Sequence, residues 1–267
     1  MNMKGFIAEK GEKPLDNMPA NGGYTGIFRT IGVIGDSLAS GEFEADDGFG
    51  GKAYYDAFDY SWGQVMARIA GVTVYNFSRG GMSAKEYMES FAEEKGFWDK
   101  DKKCTAYMFA LGVNDLLNMG QEVGDISDVD LNDYRNNKHT FAGYYGAVIQ
   151  RYLEIEPRAR LFFVTMPRQW KDDERRARLK KEHAELLYKL TEVFPRSYVI
   201  DLHKYAPVHD AEFAEKFYMD GHLNPMGYLL TGQMMCSYID YIVRNNFDDF
   251  RQVGFVGTSL VNKKYID

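Results

Sequence analysis

Five short apolar runs recur along the chain, at residues 30–34, 72–77, 105–111, 160–166 and 197–201. They are rich in β-branched and aromatic residues and bounded by Gly, Pro, Ser or Asp, which predicts buried strands that empty into turns. Between them the spacing changes to that of helices: 61–70, a segment opening at Ala84, 141–156 with Tyr144, Val148, Tyr152 and Ile155 on one side, and 171–194 with Leu179, Leu186, Leu187 and Leu190 on one side. The last long helix is announced by Asn224 and Pro225, an N-cap followed by Pro at the first helical position, and runs over about 226–245. Strands alternating with helices predict a doubly wound parallel sheet covered on both faces, an α/β fold of three layers. Right-handed crossovers then bring the strand ends to one edge of that sheet.

No internal repeat, low-complexity tract or linker divides the sequence, so one domain is expected over residues 1–267, with an N-terminal arm at about 1–28 and a C-terminal tail at about 247–267. The segment 40–59, rich in Gly, Asp and aromatic residues, reads as a loop able to roof a pocket, and 119–138 as a polar, acidic loop. The charge run within 171–194, including Glu174 with Arg178, reads as a solvated helix face.

Composition narrows the partners. Apolar residues make up 45% of the 267, ample for a packed core, and 32 basic against 39 acidic residues leave a net charge of −7. Nucleic acid and anionic membranes are therefore poor partners. The first ten residues lack the apolar stretch of a secretory signal and no later segment is long enough to span a bilayer, so a cytoplasmic location is expected. Cys104 and Cys236 read as isolated buried thiols without a functional role. The acidic stretch 42–47 lacks the regular ligand spacing of a calcium loop and reads as solvated; no metal or cofactor is expected.

The chemistry gathers at the strand ends. The first run stops at Gly35-Asp36-Ser37-Leu38, which presents Ser37 as a nucleophile. The second reaches Ser78-Arg79-Gly80-Gly81, and the third Gly112-Val113-Asn114-Asp115. Acyl transfer by serine needs a base, a group that orients it, and donors for the oxyanion. His222, in the loop ahead of the final helix, is the candidate base and Asp220 the nearest acid; the backbone N–H groups of Ser37 and Gly81 and the side-chain amide of Asn114 are candidate oxyanion donors. His203 is a rival base because it too follows a strand, whereas His139 and His183 read as surface residues.

These blocks, in this order, resemble an SGNH hydrolase of the GDSL esterase and lipase superfamily. Gly35-Asp36-Ser37-Leu38 matches the nucleophile block, Asn76 to Gly81 the second, Gly112 to Asp115 the third, and His222 with Asn224 the last. The resemblance implies a flavodoxin-like sandwich with a central five-stranded parallel sheet, and a Ser37–His222 acyl-enzyme mechanism. There is one departure: the family places its acid three residues before the histidine, and Asp220 is only two before His222. The orienting group is then Asp220 in a tighter loop, or Asp210, Asp201 or a backbone carbonyl.

The expected function is hydrolysis of small acyl esters, with O-acetyl groups on carbohydrate favoured because the aromatic loop from Phe43 to Trp62 offers rings to stack on sugar faces. Short-chain lipase or thioesterase activity is the alternative. A catalytically silent member that binds an acylated ligand or a protein is the second, suggested by the shortened acid spacing. A nucleotide-binding domain is not supported, since neither a Gly-x-Gly-x-x-Gly run nor a Walker loop follows any strand. The oligomeric state is left open.

Overall fold

The computed structural model describes residues 5 to 265; the first four residues of the expected arm and the last two of the expected tail lie outside. Its centre is an all-parallel five-stranded sheet. In chain order the strands are β1 (Thr30–Gly35), β2 (Glu42–Asp46), β3 (Lys52–Asp56), β4 (Thr73–Ser78), β5 (Ala106–Ala110), β6 (Arg160–Val164), β7 (Ser197–Ile200), β8 (Tyr218–Met219) and β9 (His222–Leu223). The sheet runs β4-β1-β5-β6-β7, while β2 pairs with β3 and β8 with β9 as separate antiparallel hairpins. Counting only the sheet strands, the order is 2-1-3-4-5, the flavodoxin-like winding that reverses direction beside its first strand and leaves a crevice there.

Residue alternation builds the two core layers. Ile31 and Val33 of β1, Met108 of β5 and Phe162 of β6 pack with the helices Trp62–Ala70 and Pro225–Asn245. Ile34, Phe77, Phe109 and Phe163 face the opposite way, against the helices Phe141–Ile155 and Glu174–Val193. Successive strand residues point to opposite faces, so a continuous apolar run feeds both layers at once. All four long helices begin at a side-chain cap: Ser61, Thr140, Asp173 and Asn224 each accept a backbone N–H. Capping also explains why the charged helix starts at Glu174 rather than 171.

The five expected strands are all present, with ends that differ from the expected ones by at most two residues. The segment 40–59 is a correction: its middle is the hairpin β2–β3, not an irregular loop. The N-terminal segment lies along the final helix, where Arg244 is ion-paired to both Glu12 and Asp240 and the Tyr24 N–H donates to Asp240 at 2.8 Å. At the other end of the chain Phe250 is buried against Phe28, Phe162 and Tyr198. Among the described residues no helix is long and apolar enough to cross a membrane.

Candidate active site

Four turns converge at the carboxyl edge of the sheet. The first follows β1. Asp36 caps the short helix Ser37–Ser40, its carboxylate accepting the Leu38 N–H at 3.1 Å, and Gly41 closes the turn in the left-handed region. This capped turn presents Ser37 at the mouth of the crevice; Ser40 also bonds Asp56, and the Gly41 carbonyl accepts the Ala57 N–H at 3.0 Å. Asp36 itself is buried, and desolvation pushes its carboxyl up to about 7, against the Leu38 hydrogen bond and with added repulsion from Asp115 and Glu42.

The second turn follows β4 and contains Gly81 at φ 72°, a conformation that favours glycine. A side chain there meets nothing within 4 Å, so backbone conformation, not space, is what a substitution disturbs. The third follows β5, where Gly112 at φ 132° lets the chain enter the π-helical turn Val113–Asn118. Asn114 is fixed from both sides: its amide nitrogen donates to the Met82 carbonyl at 3.0 Å and its oxygen accepts from Asn118 at 2.9 Å. A carboxamide nitrogen has two hydrogens, so one remains for another acceptor. Asp115 ties this turn to the second by accepting the Ala84 N–H at 2.8 Å.

His183 stands behind the third turn, and here the surface reading is overturned. The ring is fully buried beside Phe141, with Nε2 3.2 Å from the Leu111 carbonyl, and burial lowers its pKa to about 4. Its spacing from Leu179 and Leu186 puts it on the apolar stripe of its helix. His139 is exposed, stacked on Tyr144. His203 is half-buried behind β7, its N–H bonded to Thr165, and does not line the cleft.

The fourth turn carries His222. β8 and β9 form a hairpin in which Met219 pairs with His222, leaving Asp220 and Gly221 as the loop. Asp220 sits at φ 53° and its carboxylate, 66% exposed, meets Lys52 at 3.2 Å. The structure therefore does not bring Asp220 to the imidazole. Two other carboxylates occupy that position: Glu42 Oε1 lies 3.1 Å from Nε2, and Glu44 Oε2 lies 3.3 Å from Nδ1. Asp210 instead caps the helix Ala211–Phe217, and Asp201 bonds Thr165, Tyr188 and Lys204.

Sequence reasoning passed over Glu42 and Glu44 by taking 42–47 as solvated. The available signal was alternation: in Glu42-Phe43-Glu44 a strand places both carboxylates on one face and Phe43 on the other. Phe43 packs edge-on against Tyr60 and Tyr228, which fixes the carboxylate face toward His222.

Ser37, Gly81, Asn114 and His222 line one cleft of about 380 Å³, together with Glu42, Tyr218 and the cations Arg176 and Lys180. An apolar cavity of about 70 Å³ lies beside it, sharing Leu38, Val113, Met166 and Pro167 with the cleft wall. Among the described residues no hydrogen bond joins Ser37 to His222; such contacts are often long before substrate binds. At the site, Tyr54 meets the His222 ring edge-on at 5.8 Å; Tyr55, paired with Phe43, is exposed on the other face of the hairpin, and Trp62 of the expected aromatic loop is buried.

Several solved structures share this fold at low sequence identity. A carbohydrate esterase family 2 enzyme plus carbohydrate binding domain from Corynascus thermopiles (Myceliophthora fergusii) is 15% identical with a TM-score of 0.54, over 80% of this chain and 66% of that one. A family two carbohydrate esterase from Clostridium thermocellum, solved with cellohexaose, is 14% identical with a TM-score of 0.55, over 83% of this chain and 65% of that one. The Clostridium thermocellum family 3 carbohydrate esterase is 15% identical with a TM-score of 0.51, over 81% of this chain and 98% of that one. No curated protein matches the sequence. The family model of the GDSL-like lipase/acylhydrolases matches residues 33–230, from β1 into the final helix, and the chain belongs to that family.

Proposed function

We propose that the protein is a serine esterase that hydrolyses small acyl esters, with O-acetyl groups on carbohydrate as the favoured substrates. The observation that carries this reading is the single cleft lined by Ser37, Gly81, Asn114 and His222. In the proposed reaction Ser37 Oγ attacks the ester carbonyl and its proton passes to His222 Nε2. The oxyanion accepts from the Ser37 and Gly81 N–H groups and from the free hydrogen of Asn114. Collapse breaks the bond to the alcohol, which takes the proton from His222; water then attacks the acyl-enzyme by the same route. For Nε2 to reach Ser37, Glu42 must give up its place beside that nitrogen.

Sugar is favoured because Tyr54 stands exposed beside the His222 ring, where it can stack on carbohydrate, and because carbohydrate esterases of known structure use the same fold. A second reading, a short-chain lipase or thioesterase, draws on the apolar cavity beside the cleft, which offers room for an acyl chain longer than acetyl.

Hydrolysis of p-nitrophenyl acetate and its longer homologues, and acetate release from acetylated xylan, test both. Ser37→Ala is expected to lower kcat/KM by at least about 10³-fold and to abolish labelling by a fluorophosphonate. A peak at acetate supports the deacetylase, and a peak at four to six carbons the second reading. Turnover in Ser37→Ala equal to that of the wild type overturns the mechanism, and a wild type that neither turns over nor labels leaves a binding protein.

A further inference from the structure

The acid expected two residues before His222 faces away from it, and a carboxylate from the other side of the cleft has taken the ring. Resting on the reading of His222 as the base, we propose that Glu44, on the hairpin that follows the nucleophile turn, is the positioning residue that holds His222 through Nδ1, in place of Asp220.

The loop geometry shows why Asp220 is displaced. With Met219 and His222 paired, only Asp220 and Gly221 make the turn, and Asp220 stands at its apex in the left-handed region. Its carboxylate reaches Lys52 rather than the imidazole. One residue fewer between acid and histidine thus removes the acid from the site.

Glu44 fills the gap from a position prepared for an anion. Its side chain is 5% exposed; Oε1 is ion-paired with Lys52, and Oε2 accepts the Gly221 N–H at 2.9 Å as well as facing Nδ1 at 3.3 Å. The same carboxylate therefore holds the ring and the backbone of the residue before it. Lys52, one end of a β2–β3 pairing, bridges Glu44 to Asp220 and so ties the displaced acid to the hairpin. The Lys52 hydrogen bond keeps the Glu44 carboxyl below its ordinary pKa, so it stays ionised and acceptor-only.

Glu42 differs on each count. It lies on Nε2, the nitrogen that must receive the Ser37 proton, so it competes with the nucleophile rather than supporting the base. No cation pairs with it among the described residues, and burial, opposed by His222 and assisted by Asp56 and Glu44, raises its pKa. With no cation to hold it, Glu42 is the one of the two carboxylates suited to leaving the ring when substrate enters. Besides these two carboxylates, the only titratable group that contacts His222 among the described residues is Tyr54, which meets the ring edge-on.

The test is kinetic and spectroscopic, on the full chain. Glu44→Gln is expected to lower kcat on p-nitrophenyl acetate by about 10²–10⁴-fold, the range of losing a triad acid without its shape, with KM changed less than about threefold and fluorophosphonate labelling slowed in proportion to kcat. Glu44→Asp is expected to restore part of kcat, and Asp220→Asn to lower it by less than about tenfold. Proton NMR of the wild type is expected to show a downfield Nδ1–H resonance that persists in Asp220→Asn and is lost in Glu44→Gln. That resonance also covers the case in which Glu44→Gln fails to fold, because its persistence in Asp220→Asn already removes Asp220 from the ring. Loss of the resonance or collapse of kcat in Asp220→Asn, or a folded Glu44→Gln with wild-type kcat and labelling, overturns the assignment of Glu44 alone. A wild type that takes no fluorophosphonate overturns the esterase reading, and the proposal with it.

Discussion

The turn that carries Ser37 and the turn that carries His222 sit across one cleft, yet they are held in opposite ways. The first is built mainly from near neighbours: β1 delivers it, Asp36 caps it and Gly41 ends it, all within residues 30–41, with Asp56 and Ala57 bonded to its far end. The second is held from a distance. Gly221 and His222 bond Glu44, which is 177 and 178 residues away in sequence, and the Tyr228 hydroxyl at the start of the final helix donates to the Glu42 carbonyl at 2.7 Å. A local turn is specified by the residues inside it, while a remote one depends on the register of a hairpin it never adjoins in sequence. The two halves of the site should therefore respond differently to substitution.

The largest effect expected beyond Ser37 and Glu44 falls on the locally built side. Asn114 is held by the Met82 carbonyl and by Asn118, so truncation removes an aimed donor without touching the histidine turn. Asn114→Ala is expected to lower kcat by about 10²–10³-fold with KM little changed, measured on p-nitrophenyl acetate. A loss confined to KM would mean that the amide binds the ground state and is not part of the oxyanion site.

The same contrast governs what was legible in the sequence. All five sheet strands, and the turns bearing Ser37, Gly81 and Asn114, could be read because each combines an apolar run with the turn residues that end it. His222 was legible through the capped helix that follows, since Asn224 and Pro225 mark its start locally. Glu42 and Glu44 were not, because an acidic stretch looks solvated until the hairpin register turns both side chains onto a ring from the far end of the chain. His183 was missed for a related reason: the charge of its helix masked its place between Leu179 and Leu186 on the inner stripe.

An intermediate effect is expected at Asp36, where the question is whether the Ser37 turn needs its charge or only its cap. Asparagine caps as well as aspartate, so Asp36→Asn keeps the hydrogen bond to Leu38 and removes a buried carboxyl. The folded pKa of about 7 lies above the unfolded value near 3.9. Between those limits the folded state holds a proton that the unfolded state has released, so this group's contribution to stability falls as pH rises through the window. Relative to wild type, Asp36→Asn is expected to gain roughly 2–4 kcal/mol on going from pH 4 to pH 8, read from urea midpoints of both proteins at each pH. Asp115, raised to about 6, slopes the same way, whereas His183 and His209, both lowered to about 4, slope oppositely between about 4 and 6.5. Comparing variant with wild type at each pH cancels those contributions. A difference that does not change with pH would show that Asp36 is ionised in the folded protein throughout.

The smallest effect is expected at Lys52, and it bears most directly on remote holding. Lys52 is about half exposed, and an exposed ion pair contributes only about 0–1 kcal/mol. Lys52→Met is therefore expected to leave the urea midpoint nearly unchanged. Activity is a different matter, because Lys52 fixes the carboxylate that fixes His222 and also anchors Asp220 at the apex of the turn. Without it Glu44 keeps the Gly221 N–H but loses its cation, and the sign of its pKa shift turns toward that of a buried acid. A drop in kcat of about threefold to thirtyfold, the scale of a disturbed supporting residue rather than a lost one, should deepen as pH is lowered and Glu44 takes up a proton. The Ser37 turn makes none of these contacts, so equal loss of activity at every pH would place the effect of Lys52 outside the Glu44–His222 pair and erase the distinction between the two turns.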